Sequence, residues 1–137
     1  GLNPMPVQRP IPIWIGGGPG SVGSYSASAS DRVMRRIATK ADGWFPMASS
    51  AAQAEPLIAR LHEHMQQAER DHDEVGIEFS VSAASGDPED WARQASEWKG
   101  LGVTHISVRT ADAGFSSVAE HLRALERFKE AVADVVK

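Results

Sequence analysis

The feature that most limits how this chain can fold is a regular alternation of short apolar runs with helix-patterned segments. Ile11, Ile13, Trp14 and Ile15 form an almost fully apolar run that ends at glycines, the pattern of a strand buried on both faces. Ser30 or Asp31 is placed to cap a following helix. Along it Val33, Met34, Ile37, Ala38 and Ala41 recur at helical spacing, with Arg32, Arg35, Arg36 and Lys40 mostly off the stripe. After Gly43, Trp44-Phe45-Pro46-Met47 gives a second short strand. A Ser/Ala-rich turn over Ala48–Gln53 leads to a helix marked by Leu57, Ile58, Leu61, Met65 and Ala68, with Pro56 near its first turn. Beyond the polar turn Asp71–Gly76, Ile77, Phe79, Val81 and Ala83 alternate with Glu78, Ser80 and Ser82 as a third strand. Asp87-Pro88 opens a third helix with Trp91, Ala95 and Trp98 on one face, ending at Gly100 or Gly102. Val103–Val108 is a fourth strand. Ser117-Val118-Ala119-Glu120 is a capping box for a last helix lined by Val118, Leu122, Leu125, Phe128 and Val132.

The order βαβαβαβα implies parallel strands joined by right-handed crossovers. The expected fold class is α/β: four parallel βα units resembling the second half of a (β/α)8 TIM barrel, or a small open sheet. Residues 1–10, with Pro4, Pro6 and Pro10, read as an extended lead-in, and residues 11–137 as one domain. Gly1 in place of an initiator Met suggests a tag remnant or a piece of a longer protein.

Composition narrows the function classes. With 42% apolar and 23% charged residues, the 137-residue chain has the makings of one globular core. A net charge of −4 without a Lys/Arg block argues against nucleic acid as a partner. No apolar run approaches the roughly 20 residues that span a bilayer, so no membrane partner is expected. Cysteine is absent, which excludes disulfides and thiolate metal sites and favours a cytoplasmic home.

The loop after the first strand carries the chemistry. Gly18-Pro19-Gly20-Ser21-Val22-Gly23 spells G-x-G-x-x-G, but a dinucleotide site needs the helix to open directly on the loop and an acidic residue at the end of the second strand. Here the helical pattern begins near Asp31, and Asp42 precedes its strand. Glycines at the carboxyl end of a parallel strand still lie where α/β folds place ligands. Their N–H groups and a helix N-terminus suit a phosphate, and Ser21, Ser24, Ser26, Ser28 or Ser30 could donate hydroxyl bonds. A plain connecting loop is the competing reading.

Taken together, "RPIPIWIGGG" from Arg9 to Gly18 and "ADGWFP" from Ala41 to Pro46 resemble the luciferase-like flavin and deazaflavin oxidoreductases. The first resembles that family's fifth strand and phosphate loop. Arg35-Arg36-Ile37-Ala38 with the second resembles its next helix and sixth strand, and Leu101–Ile106 the entry to its eighth strand. The resemblance implies a (β/α)8 barrel using FMN or coenzyme F420, of which this chain covers the C-terminal half. It implies that Gly16, Gly17, Gly18, Pro19 and Ser21 hold the cofactor phosphate. The family passes from glycines to helix within a few residues, whereas Pro19–Ser30 is longer here. Ser30 and its neighbours therefore compete with Ser21 for the phosphate, or the loop forms a lid. No catalytic residue carries over, since the missing half supplies most substrate and proton-transfer groups.

Other residues weigh less. Arg109 and Thr110 end the last strand, and Arg109 is a candidate cofactor contact or a solvated loop arginine. Trp91 and Trp98 are expected in the core, and Trp44 in the core or lining the pocket mouth. His62 and His64 point to different sides of a helix, so a metal site with His72 is disfavoured, and His105 is expected to be structural.

Four βα units leave two unpaired edge strands and an open inward face, including Ile13, Phe45 and Val81 or its neighbours. The expected remedy is a homo-oligomer or an upstream N-terminal half. The alternative class is a noncatalytic half-barrel that binds a phosphate-bearing ligand or serves as an assembly module. A small nucleotide-binding sheet is the third reading.

Overall fold

In the computed structural model, residues 7–8, 10–17 and 31–136 are described. The strands are β1 (Trp14–Gly16), β2 (Gly43–Phe45), β3 (Gly76–Ser82) and β4 (His105–Arg109). The helices are α1 (Asp31–Lys40), α2 (Ala51–Gln67), α3 (Pro88–Gly100) and α4 (Val118–Ala131), with a 3-10 turn at His72–Glu74. All strand pairs are parallel and follow chain order β1-β2-β3-β4. The expected α/β architecture is therefore present: four parallel βα units in a half-barrel-like arrangement.

One face of the sheet is covered and the other is open. Ile15, Trp44, Ile77, Phe79, Val81, Ile106 and Val108 pack with the core, as strict alternation requires of one side of a strand. The helices complete that core through Met34, Ile37 and Ala38 of α1, Leu57, Ile58, Leu61 and Met65 of α2, and Trp91, Ala95 and Trp98 of α3. Trp98 stacks on Phe79 with centroids 3.6 Å apart. Trp91 directs Nε1–H to the Ser85 carbonyl at 3.0 Å and meets Phe128 of α4. The three indoles are thus core groups, as expected.

Two polar clasps hold the units together. The Asp42 carboxylate accepts from Ile13 N at 2.7 Å, and Asp42 N donates to Ile13 O at 2.8 Å. This fixes the amino ends of β1 and β2, and it uses Asp42 at the rim opposite to the one a nucleotide ribose would need. The second clasp is Arg70, whose Nη1 donates to the carbonyls of Ala41 (2.6 Å) and Ala38 (3.3 Å). These are orphan carbonyls at the end of α1.

The structure corrects several boundaries. α2 begins at Ala51, a turn earlier than the Ser/Ala-rich stretch suggests, because Ser50 caps it by accepting from Gln53 N at 3.4 Å. Pro56 then falls in the second turn. β2 stops at Phe45, before Pro46, which has no N–H for a ladder. β4 starts at His105, since Thr104 Oγ1 instead accepts from Ile77 N at 2.9 Å. The capping box of α4 is present, with Ser116 and Ser117 N–H and hydroxyl groups holding the Glu120 carboxyl down at about 2. The expected apolar stripe of α4 is only half used. Ala124, Phe128 and Val132 are buried, whereas Val118, Leu122 and Leu125 are exposed, because the stripe through Ala124, Phe128 and Val132 is the one turned to the core.

The open face has an unusual floor. Trp14 on β1 lies over Gly43 on β2 and Gly76 on β3, the residues in register beside it. A Cβ at Gly43 would run into the indole ring, and one at Gly76 would come within 3.1 Å of it. Gly43→Ala should therefore destabilise the fold by about 1–3 kcal/mol through overpacking. Urea denaturation measures this, and combining it with Trp14→Ala should restore most of the loss.

Candidate functional site

The two candidate regions are the carboxyl rim of the sheet and the floor of its open face. At the rim, β1 ends at Gly16 and the chain continues through Gly17. Gly16 is exposed, and a Cβ there would meet nothing within 4 Å. Gly17 is the opposite case: a Cβ would come within 2.7 Å of Val33 Cγ1 in the first turn of α1. The start of the glycine segment is thus pressed against a helix N-terminal turn, and only a residue without a side chain fits.

Trp44 holds that segment in place. Its fully buried indole donates Nε1–H to the Gly17 carbonyl at 2.7 Å, and Gly17 N donates to the Phe45 carbonyl at 3.3 Å. The sequence identified Trp44 as a core residue but gave no sign of this bond, which joins the core to the loop. Gly18, Pro19, Ser21 and Ser30 lie outside the described residues, so of the expected phosphate-holding set only Gly16 and Gly17 have a described place.

Asp31, the first residue of α1, is the charged group nearest the helix start. Arg60 donates to its carboxylate through Nε at 2.9 Å, and His64 Nε2 lies 3.2 Å away. Arg60 first, then His64, hold its carboxyl below the usual range. The pairing offsets a negative charge that would otherwise oppose an anion at this terminus.

Arg109 ends β4, at the same rim but on the opposite edge of the sheet. Three strand spacings and four residues of register separate it from Gly16, about 20 Å for a flat sheet, so the sheet does not bring it beside the glycines. The adjoining Thr110 hydroxyl pairs with His121 Nδ1 at 2.8 Å.

Below the rim, the open face carries the register row Gly16, Phe45, Glu78 and His105, followed by Ser80 with Ser107 and Ser82 with Arg109. Phe45 faces the open side as expected, but Val81 does not; it is buried under the helices, and its neighbours Ser80 and Ser82 take the open side. Ile13 precedes β1 and is exposed. Trp14, Phe45, Glu78, His105, Ile106 and Ser107 line a shallow depression of about 390 Å³. Phe45 tilts against Trp14 at 5.0 Å between centroids, and His105 meets it edge-on at 4.9 Å. Ser107 Oγ donates to Glu78 Oε1, and His105 Nδ1 pairs with the Thr104 hydroxyl at 2.8 Å. Sequence reasoning placed Trp14, Glu78 and Ser107 on strands but gave none of them a role in a site. The Gly43/Gly76 pair facing a tryptophan was the available signal.

The histidines of α2 do not converge. His62 stacks on His72 at 4.0 Å, with burial and then the neighbouring ring pushing the His62 imidazole below its ordinary value. Among the described residues no group of three or more side chains could hold a metal ion, and no helix is long and apolar enough to cross a membrane.

What the fold and its open rim define is a set of parallel βα units with a glycine segment at the carboxyl end of the first strand. No family model matches the chain, and no curated protein matches it. Among solved structures, DmoA from Hyphomicrobium sulfonivorans is similar at 19% identity and a TM-score of 0.35, over 80% of this chain and 28% of that one. The chain thus spans little more than a quarter of that protein's length, and a likeness this low decides neither family nor activity.

Trp44→Phe should raise the hydrogen-exchange rate of the Gly17 amide, at a cost of about 1 kcal/mol for the lost bond in addition to packing. Trp98→Phe, a similar loss of volume in the same core, should leave that amide closer to wild type.

Proposed function

We propose that this chain is the cofactor-phosphate-binding C-terminal half of a luciferase-like, flavin- or deazaflavin-dependent oxidoreductase barrel. The observation that carries the reading is the seat of Gly17. The glycine segment leaves the carboxyl end of a parallel strand, is tied to the core by Trp44 Nε1–H, and touches the N-terminal turn of α1. Exposed backbone at a strand's carboxyl end, beside a helix N-terminus, suits a phosphate monoester. Gly16 fits that role because it offers no side chain that would hold the anion away, whereas Gly17, bonded to Phe45 and Trp44 and packed on Val33, sets the path of the loop. Gly18, Pro19 and Ser21 are assigned to the same phosphate by the family resemblance, Ser30 is the alternative to Ser21 because the loop is longer here, and Arg109 is a second contact if the cofactor spans the rim. The bound ring, from FMN or F420, supplies the hydride chemistry; the protein supplies grip and orientation. The chain by itself is catalytically incomplete on this reading.

Titration with FMN and with F420, followed by cofactor fluorescence, tests the proposal. A saturable change relieved by inorganic phosphate and weakened about tenfold by Gly17→Ala is expected. Binding of NAD instead would favour the small nucleotide sheet. No binding of any of these would leave a noncatalytic assembly module, the second reading.

That second reading draws on the free edges of β1 and β4. A two-fold axis along the strands would let β4 of one copy pair with β1 of another while keeping every strand parallel, and an upstream half could do the same. Sedimentation velocity at micromolar concentration should show at least a dimer; a stable monomer would count against an open half.

A further inference from the structure

We propose that the open face of the sheet holds a binding site for a planar organic cation of the guanidinium or amidinium class, seated on Trp14 and held by Glu78. The inference is independent of the phosphate site at the rim. Its first support is the floor of the depression. Gly43 and Gly76 let the Trp14 indole lie on the strand backbones, and the half-buried ring lines the depression. Phe45 and His105 bracket the ring and restrict it from swinging away. A fixed indole face is a preferred seat for a weakly hydrated flat cation.

The second support is an uncompensated charge. Among the described residues, the ion pairs involve Asp31, Glu74, Asp90 and Glu97, and none involves Glu78. Ser107 donates to Oε1 of Glu78, and among the described residues no side chain or backbone group donates to Oε2. A guanidinium or amidinium presents paired N–H donors that match a carboxylate while its plane rests on the indole. A neutral ring would leave the carboxylate unanswered, and a compact ammonium would not spread over the ring. The volume of about 390 Å³ falls in the range of small-ligand sites, about 300–1,000 Å³. The requirement for positive charge persists if a second copy closes the barrel. β3 and its symmetry mate would stand opposite each other and contribute to one interior layer, so two Glu78 carboxylates would face one another. Burying such a pair without a cation is costly.

The test uses benzamidine as the probe and benzamide as its neutral counterpart, monitored on the indole N–H signals of the four tryptophans, with Trp14 assigned by Trp14→Phe. Benzamidine at millimolar concentration should shift the Trp14 signal saturably, and benzamide should bind about tenfold more weakly or not at all. Glu78→Gln, which keeps the side-chain shape, should weaken benzamidine about tenfold, the scale of one lost charge-assisted contact, while FMN titration of the same variant is unchanged. Equal binding of benzamide, an unaltered affinity in Glu78→Gln, or no movement of the Trp14 signal would each overturn the proposal.

Discussion

Trp14 lies on the backbones of two neighbouring strands because Gly43 and Gly76 carry no side chains. With any larger residue at Gly43 the indole would be displaced, and the open face would lose its floor. The same register places Phe45, Glu78 and His105 in the next row toward the carboxyl rim. The aromatic floor thus sets the depth at which the polar row begins, and Gly16 lies in that same row at the edge of the sheet. The sheet is sorted by height: apolar at its amino end, mixed in the middle, and hydroxyl- and arginine-bearing at its carboxyl end.

Most of the fold was legible in the sequence because its elements announce themselves locally. The alternation at Ile77, Phe79 and Val81 gives β3 and its buried side directly. Asp87-Pro88 and the Ser117/Glu120 box mark two helix starts through caps that need only a few residues. Errors came where tertiary contacts overrode local pattern. Leu122 and Leu125 have helical spacing, yet they stand on the exposed side of α4 while Ala124 between them is buried. Thr104 looks like part of a strand but spends its hydroxyl bridging to β3.

The candidate sites were less legible, for a physical reason. Glycines at a strand end signal open backbone whatever the loop holds, so Gly16 and Gly17 could be named from pattern alone. The Trp44 bond to Gly17 spans 27 positions, and the Trp14–Gly43–Gly76 seat joins three strands. No spacing rule within one element reports such contacts. Arg109 illustrates the converse: its position after a strand was readable, but its distance from the glycines depends on strand order across the whole sheet.

Arg70 ties together pieces that the chain connects only at length. Its guanidinium reaches the last carbonyls of α1 and, through Nη2, the Glu74 carbonyl in the turn before β3. The end of one βα unit and the beginning of the unit after next therefore share a single side chain. A disturbance at the α2–β3 turn loosens the foot of α1 as well, and α1 is the helix whose first turn backs the glycine segment. The Arg70 clasp at one end of α1 and the Val33 contact with Gly17 at the other thus put the two rims of the sheet on a single ten-residue helix.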